Sequence, residues 1–310
     1  MENEHLPKTL LEAVRFFTDI DRCTQFMAMV RWPEGVICPH CTATRNSFNK
    51  ARRYWQCKDC RKQFTIKTGS VMEDSPIGLD KWLPAIWMIV NAKNGVSSYE
   101  IHRALGITQK SAWFLLHRIR LAMQAKSFEK LSGHVEVDET FIGGRARFMH
   151  KHERERKIKG TGGYGKVAVM GLLERHGEVR VHVVGDRRRR SLDGAVREHV
   201  EAGSHVYSDA LKSYSELKDE YIHAVIDHAE KYVDGNVHTN SIENFWSLLK
   251  RALKGTYVSV EPFHLFRYLD EQSFRFNKRM GNDLYRFLEV AKCLTGRRLT
   301  FEELTAKAAQ

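Results

Sequence analysis

Two close cysteine pairs, Cys38-Pro-His-Cys41 and Cys57-Lys-Asp-Cys60, constrain this chain more than any other feature. The pattern is C-x2-C-x15-C-x2-C. Two tight turns at that spacing can aim four thiolates at one tetrahedral Zn2+, which is the signature of a zinc ribbon. With four cysteines present, His40 inside the first pair is not needed as a ligand. Cys23 and Cys293 stand alone among apolar neighbours and read as core residues. A ribbon is therefore expected over residues 36–68, with structural Zn2+ on Cys38, Cys41, Cys57 and Cys60. In a reducing compartment disulfides are the poorer explanation.

The compartment and the partner follow from composition. A chain of 310 residues can hold two or three domains. It carries 50 basic against 38 acidic residues, a formal net charge of +12. Such an excess favours a polyanion, because each phosphate neutralised releases condensed counterions. An anionic membrane surface would suit the charge equally well. No run approaches the ~18 apolar residues of a spanning helix, however. The start, Met-Glu-Asn-Glu-His, has neither the basic nor the apolar region of a secretory signal. The expectation is a cytoplasmic protein, nucleoid-associated when bound to DNA, with no membrane partner.

Along the chain, residues 6–31 read as one amphipathic helix or two short ones, within an N-terminal helical segment 1–35. In the ribbon, Arg45, Lys50, Arg52, Arg53, Lys58, Arg61, Lys62 and Lys67 alternate with Phe48, Tyr54, Trp55 and Phe64. The aromatic residues would pack a small core and the basic ones face outward. Residues 80–124 are helical in pattern, within a region bounded at 76–128. Ser97 or Ser98 can cap a helix ending at Gly106, and Thr108 can cap a second with Ala112, Leu115, Leu116 and Ile119 on its apolar stripe. That pair has the form of a helix-turn-helix unit, with Gln109, Lys110 and Trp113 where base contacts are made.

From residue 133 the period becomes two. Strands are expected over 133–142, 166–174, 178–185, 204–208 and 221–227, and helices over 192–201, 211–219 and 261–278. The fold class is α+β: a zinc ribbon and a helical region, then a mixed sheet with flanking helices over 130–285 and a C-terminal tail over 286–310. Residues 145–165 are too polar and glycine-rich for a core and read as a mobile basic loop. The run Arg187–Arg190 immediately precedes a helix.

Within this frame, carboxylates recur where chemistry can use them. Asp138 lies in His134-Val-Glu-Val-Asp-Glu-Thr-Phe-Ile, and Asp209 ends Ser204-His-Val-Tyr-Ser-Asp. From Asn240 onward, Ile242, Phe245, Trp246, Leu249 and Leu253 recur at helical spacing. That leaves Asn240, Glu243, Ser247 and Lys250 on the opposite face. Two aspartates from strands and a helical glutamate can hold two hard cations, the arrangement suited to phosphoryl transfer on nucleic acid. Glu136 shares the face of Asp138 along its strand, whereas Glu139 should point away. Each of these acids alone would also pass as an ordinary surface residue.

Three segments together carry a family resemblance: Val135-Glu-Val-Asp-Glu-Thr-Phe-Ile-Gly-Gly144, Tyr207-Ser-Asp209 and His238-Thr-Asn-Ser-Ile-Glu-Asn-Phe-Trp-Ser-Leu-Leu-Lys-Arg251. In order and spacing the chain resembles the ISXO-two-like bacterial insertion-sequence transposases, DDE-type enzymes with an N-terminal zinc ribbon. The resemblance implies an RNase H-like catalytic domain and binding to double-stranded DNA, both terminal inverted repeats and target. It also implies strand cleavage and strand transfer dependent on Mg2+ or Mn2+. Asp138 and Asp209 match the family's aspartates as catalytic metal ligands. The third ligand is Glu243, favoured because a carboxylate binds a hard cation better than an amide, or Asn240 on the same face. Lys250 would contact DNA near the scissile phosphate. A homo-oligomer on DNA is expected, since two ends must be synapsed. The competing readings are a domesticated, non-catalytic zinc-ribbon regulator and a metal-dependent nuclease without strand transfer.

Overall fold

The change of hydrophobic period near residue 133 marks a change of architecture. The computed structural model describes residues 6–124, 129–143, 150–157, 166–185, 189–209, 220–226 and 238–306. The chain forms two compact units, one of Met1–Gln124 with Lys278–Gln310 and one of Ala125–Asn277.

The first unit begins with α1 (Leu10–Phe16) and α2 (Ile20–Arg31), the two-helix form of the expected segment. Thr9 and Glu12 make a capping box at α1, and Asp19 caps α2 through the N–H of Asp21. A small antiparallel sheet follows, β1 (Asn46–Asn49), β2 (Tyr54–Cys57) and β3 (Gln63–Phe64), in that spatial order. Trp55 stacks on Phe64 with ring centres 6.0 Å apart and meets Trp32 edge-on at 5.3 Å, so the ribbon core is aromatic as expected. Its basic residues do not all face outward. The Lys67 ammonium donates to the carbonyls of Ser75 and Ile77, at 3.0 and 2.5 Å.

Helix α3 (Leu79–Asn91) is buried over most of its surface, with Pro84 inside it. Helices α4 (Ser98–Leu105) and α5 (Gln109–Met123) follow. Ser97 and Glu100 form a capping box, Gly106 ends α4 at φ +60°, and the Thr108 hydroxyl accepts the N–H of Ser111. The residues expected to face DNA have partners within the unit. Gln109 donates to Ser98 at 2.9 Å, the Lys110 ammonium sits 4.6 Å from the Phe301 ring centre, and Trp113 packs on His117 at 4.5 Å.

In the second unit, β4 (His134–Ile142) is the centre of a five-stranded mixed sheet. Then come α6 (Lys151–Lys157), β5 (Val167–Glu174), β6 (Val179–Val184), α7 (Arg189–His199), β7 (His205–Asp209) and β8 (Ile222–Ile226). Spatial order is β6-β5-β4-β7-β8. The β4–β5 and β5–β6 pairs are antiparallel; β4–β7 and β7–β8 are parallel. Residues 151–157 of the expected loop are helical, while 144–149 and 158–165 lie outside the described residues, as does the helix expected over 211–219. The helix after the arginine run starts within it, at Arg189.

Helix α8 (Asn240–Ala252) runs into a π-helical turn, Leu253–Tyr257, and α9 (Leu265–Asn277) follows. The sheet has apolar clusters on both faces. Val135, Val137, Met170 and Leu172 pack with Leu192 and Val196 of α7. Val169 and Leu173 pack with Ile242, Phe245 and Trp246 of α8 and Leu269 of α9. Strand alternation thus sends Glu136 and Asp138 toward α8. Finally, α10 (Asp283–Lys292) and α11 (Phe301–Thr305) return to the first unit. Phe287 of α10 lies against Phe17, Phe26 and Trp87. The expected tail therefore contributes core. No helix among the described residues is long and apolar enough to cross a membrane.

Candidate active site

Asp138 sits near the middle of β4, and α8 lies over that face of the sheet. A cleft of about 440 Å³ opens between them, lined by Asp138, Glu139, Thr140, Glu243, Trp246, Ser247 and Lys250. The helical spacing of Glu243, Ser247 and Lys250 puts all three on the side of α8 facing the opening. Asn240, the first residue of α8, is exposed and is not among the lining residues. The structure thus brings Asp138, Glu243 and Lys250 together and leaves Asn240 at the helix start. Strand β7 runs parallel to β4, with Val137 opposite Ser208; Asp138 and Asp209 are the next residues on their strands. Backbone register therefore puts Asp209 one strand over from Asp138.

Both oxygens of Asp138 are oriented by donors. The Trp246 indole N–H donates to Oδ2 at 2.9 Å, and the backbone N–H of Glu139 to Oδ1 at 2.8 Å. The indole reaches this carboxylate because residue 171, which pairs with Asp138, is glycine. A Cβ there would come within 2.6 Å of Trp246 Cζ2 and 2.8 Å of Ile242 Cδ1. Glu139, which alternation sends to the other face, still contributes to the cleft wall, since the opening extends along Asp138, Glu139 and Thr140. The Thr239 hydroxyl donates to Glu243 Oε1 at 3.2 Å. Burial lowers the pKa of Lys250, and the negative charge of Asp138 opposes that shift.

Lys250 also borders a second opening of about 330 Å³, lined among others by Phe141, Ile142, Lys166, Leu253 and Lys254. An acidic cleft and a lysine-rich groove therefore meet at one residue. The cleft's donor set suits a hard divalent cation, because Asp138 and Glu243 offer carboxylate oxygens to one opening.

Sequence reasoning missed two residues here. Trp246 read as one position of an apolar stripe, and only its indole N–H, invisible in that pattern, ties it to Asp138. Gly171 carried a usable signal, a glycine inside an otherwise apolar strand, which often marks close approach of another group.

In the first unit the sulfur atoms of Cys38, Cys41, Cys57 and Cys60 all lie within 4.8 Å of one another. Cys38–Cys60 and Cys41–Cys57 are 3.8 and 3.6 Å apart. Zn–S bonds of ~2.3 Å in a tetrahedron require sulfur separations of about 3.8 Å. The cluster fits a structural zinc ion.

Two regions of the chain match models of known protein families. Residues 130–277 match the ISXO2-like transposase domain, and residues 19–63 match a transposase zinc-ribbon domain. The chain is 28% identical over 266 residues to an uncharacterized protein in transposable element ISH50 of Halobacterium salinarum, covering 77% of this chain and 85% of that protein. It is 33% identical over 96 residues to an uncharacterized transposase-like protein of Haemophilus influenzae, covering 31% of this chain and 77% of that one. A mixed sheet with an acidic cleft, preceded by a four-cysteine ribbon, is the frame of an insertion-sequence transposase. This chain belongs to the ISXO2-like transposase family.

Proposed function

We propose that the chain binds the terminal inverted repeats of its element and catalyses metal-dependent DNA strand cleavage and strand transfer, with Asp138, Asp209 and Glu243 as the catalytic metal ligands. The observation that carries this reading is the single cleft shared by Asp138, Glu243 and Lys250, beside the strand that ends in Asp209. The strand order, with three antiparallel strands followed by two parallel to the first, supports an RNase H-like core over the region 130–285. Glu243 is preferred to Asn240 because it lines the cleft.

When bound, Mg2+ or Mn2+ would supply Lewis-acid activation of the attacking hydroxyl and stabilisation of the departing 3′ oxygen. The chain's own residues hold the reactants. Trp246 and the Glu139 N–H keep the Asp138 carboxylate turned into the cleft. Lys250 meets the phosphate oxygens next to the scissile bond, and Lys166 and Lys254 continue that cationic path along the backbone. Water cleaves at the element's end. The freed 3′-OH then attacks target DNA in line, with no covalent protein–DNA intermediate. The zinc ribbon (36–68) and the α4–α5 pair, as a helix-turn-helix region within 76–128, recognise the ends. At least two copies assemble on DNA to hold both ends.

The test is cleavage and joining on a labelled terminal-repeat duplex with Mg2+ or Mn2+. Wild type is compared with Asp138→Ala, Asp209→Ala, Asn240→Ala and Glu243→Ala, each checked for retained DNA binding. Both steps should be lost in the Asp138, Asp209 and Glu243 variants and kept in Asn240→Ala. Full activity without Asp138 or Asp209 rejects the site. Loss in Asn240→Ala with activity in Glu243→Ala transfers the third role to the asparagine. Nicking without joining identifies a nuclease, and binding without cleavage by wild type identifies a regulator.

A further inference from the structure

Helix α8 starts without a side-chain cap from its own N-cap residue. Thr239 stands at the N-cap position but makes no side-chain cap hydrogen bond; its hydroxyl donates to Glu243 instead. The first N–H groups of a helix need acceptors, and here a distant strand provides one. Glu136, fully buried on β4, accepts the backbone N–H of Ser241 at 2.9 Å and of Ile242 at 3.0 Å through Oε2. Its other oxygen, Oε1, takes the Arg175 guanidinium at 2.8 Å and lies 3.3 Å from His238 Nδ1. Arg175 is itself fixed, donating to the His238 carbonyl at 2.7 Å and lying over the Tyr207 ring at 4.3 Å. Strand, hairpin turn and helix start therefore converge on one carboxylate.

A second tie lies one step further along. Asp138, two residues after Glu136, holds Trp246, four to five residues after the capped amides. Two strand residues rise about 6.6 Å and four to five helical residues about 6–7.5 Å. The two ties thus match in pitch and fix α8 against β4 along its axis. Stability alone does not call for a buried carboxylate, since a well-packed apolar side chain serves as well or better. What an apolar side chain cannot do is fix a helix to a strand through its first amides.

We propose that Glu136 is a positioning residue, which sets where α8 presents Glu243 relative to Asp138 and so the affinity of the cleft for its divalent cation. The inference rests on the reading of that cleft as the cation site. Metal affinity depends on the groups that orient the ligands, and their loss weakens it about 10–100-fold.

The experiment uses the full chain with Glu136→Gln, which keeps shape but loses one acceptor oxygen, and Glu136→Asp, which keeps the charge on a shorter arm. Mn2+ binding is followed by the electron paramagnetic resonance signal of the free ion, alongside the Mg2+ concentration for half-maximal cleavage, thermal melting and DNA affinity. Both variants should melt cooperatively and bind terminal-repeat DNA as wild type does. Mn2+ affinity should fall by at least about tenfold, the Mg2+ requirement should rise in step, and saturating cation should restore the maximal rate. A folded variant whose Mn2+ and Mg2+ curves superimpose on wild type overturns the proposal.

Amide exchange in the wild-type protein tests it without any variant. The N–H groups of Ser241 and Ile242 should be protected without divalent cation, and exchange at the rate of unstructured chain overturns the cap. Asp138→Ala, run in parallel, separates the two readings. If it binds Mn2+ and cleaves as wild type, the cleft assignment fails and this inference falls with it. If it is inactive, the Glu136 variants decide the matter alone.

Discussion

Asp138 is held through both carboxylate oxygens, and one of its two donors belongs to a side chain that also fills the core. Trp246 is 4% exposed, packs among Ile242, Phe245 and Leu249, and still delivers its indole N–H to Oδ2. Trp246→Phe separates these roles, keeping an aromatic ring and deleting the donor. A hydrogen bond to a charged group contributes about 1.5–3 kcal/mol, so urea melting should show a loss of that order. Cleavage at limiting Mg2+ should fall by about tenfold, because Oδ2 of Asp138 then loses the donor that orients it. Wild-type cleavage in a destabilised Trp246→Phe would show that the indole serves packing alone. At this scale the sequence displayed the acids but not their supports. Asp138 and Glu243 could be found from a strand pattern and a helical face, both local in the chain. The capping of Ser241 by Glu136 spans 105 residues, and no periodicity reports a bond of that span.

Among elements, β5 and α8 meet at a site where only glycine fits. Gly171 pairs with Asp138 across the sheet, and its missing Cβ is the space that the Trp246 ring occupies. Gly171→Ala would place a methyl group 2.6 Å from Cζ2, so the ring and with it α8 must lift from the sheet. Overpacking of this kind costs about 1–3 kcal/mol. The expected result is a lower melting temperature, faster amide exchange at the start of α8 and reduced cleavage, with DNA binding unchanged. Unchanged stability would mean that the helix moves aside freely and is not fixed by its two ties. Element boundaries were largely legible because their signals are local. The Ser97–Glu100 capping box, Gly106 in the left-handed region and the Thr108 cap delimit α4 and α5 where the residue types indicated. Alternating or continuous apolar runs bounded by turn residues placed β4 through β8 to within a few residues, since each run is local in the chain. Partnership between elements was less accessible. The Lys110 ammonium lies over the ring of Phe301, nearly two hundred residues later, a contact that no local pattern reports.

For the molecule as a whole, the first unit is assembled from both ends of the chain, and the sheet unit is one continuous stretch between them. By sequence, residues 286–310 are set apart as a C-terminal tail, yet Phe287 is fully buried. Its ring centre lies 5.4 Å from that of Phe17, 5.9 Å from Phe26 and 5.3 Å from Trp87, so the C-terminal segment fills a hole left by the N-terminal one. Phe287→Ala should therefore act on the first unit alone. Truncating a buried phenylalanine costs about 3–5 kcal/mol through lost burial and the remaining cavity. Amide exchange measured by mass spectrometry can assign that loss to a unit. Peptides from α1, α2, α3 and α10 should exchange faster by the corresponding factor, while those from β4, β5 and β7 keep wild-type protection. The outcome also decides how the chain denatures. If both sets of peptides accelerate equally, the two units unfold as one cooperative body, and a mutation near the C-terminus reaches the sheet that carries Asp138 through global unfolding. If only the first set responds, the sheet bearing Asp138 and Asp209 has its own stability, because its core is closed by α7 on one face and by α8 and α9 on the other.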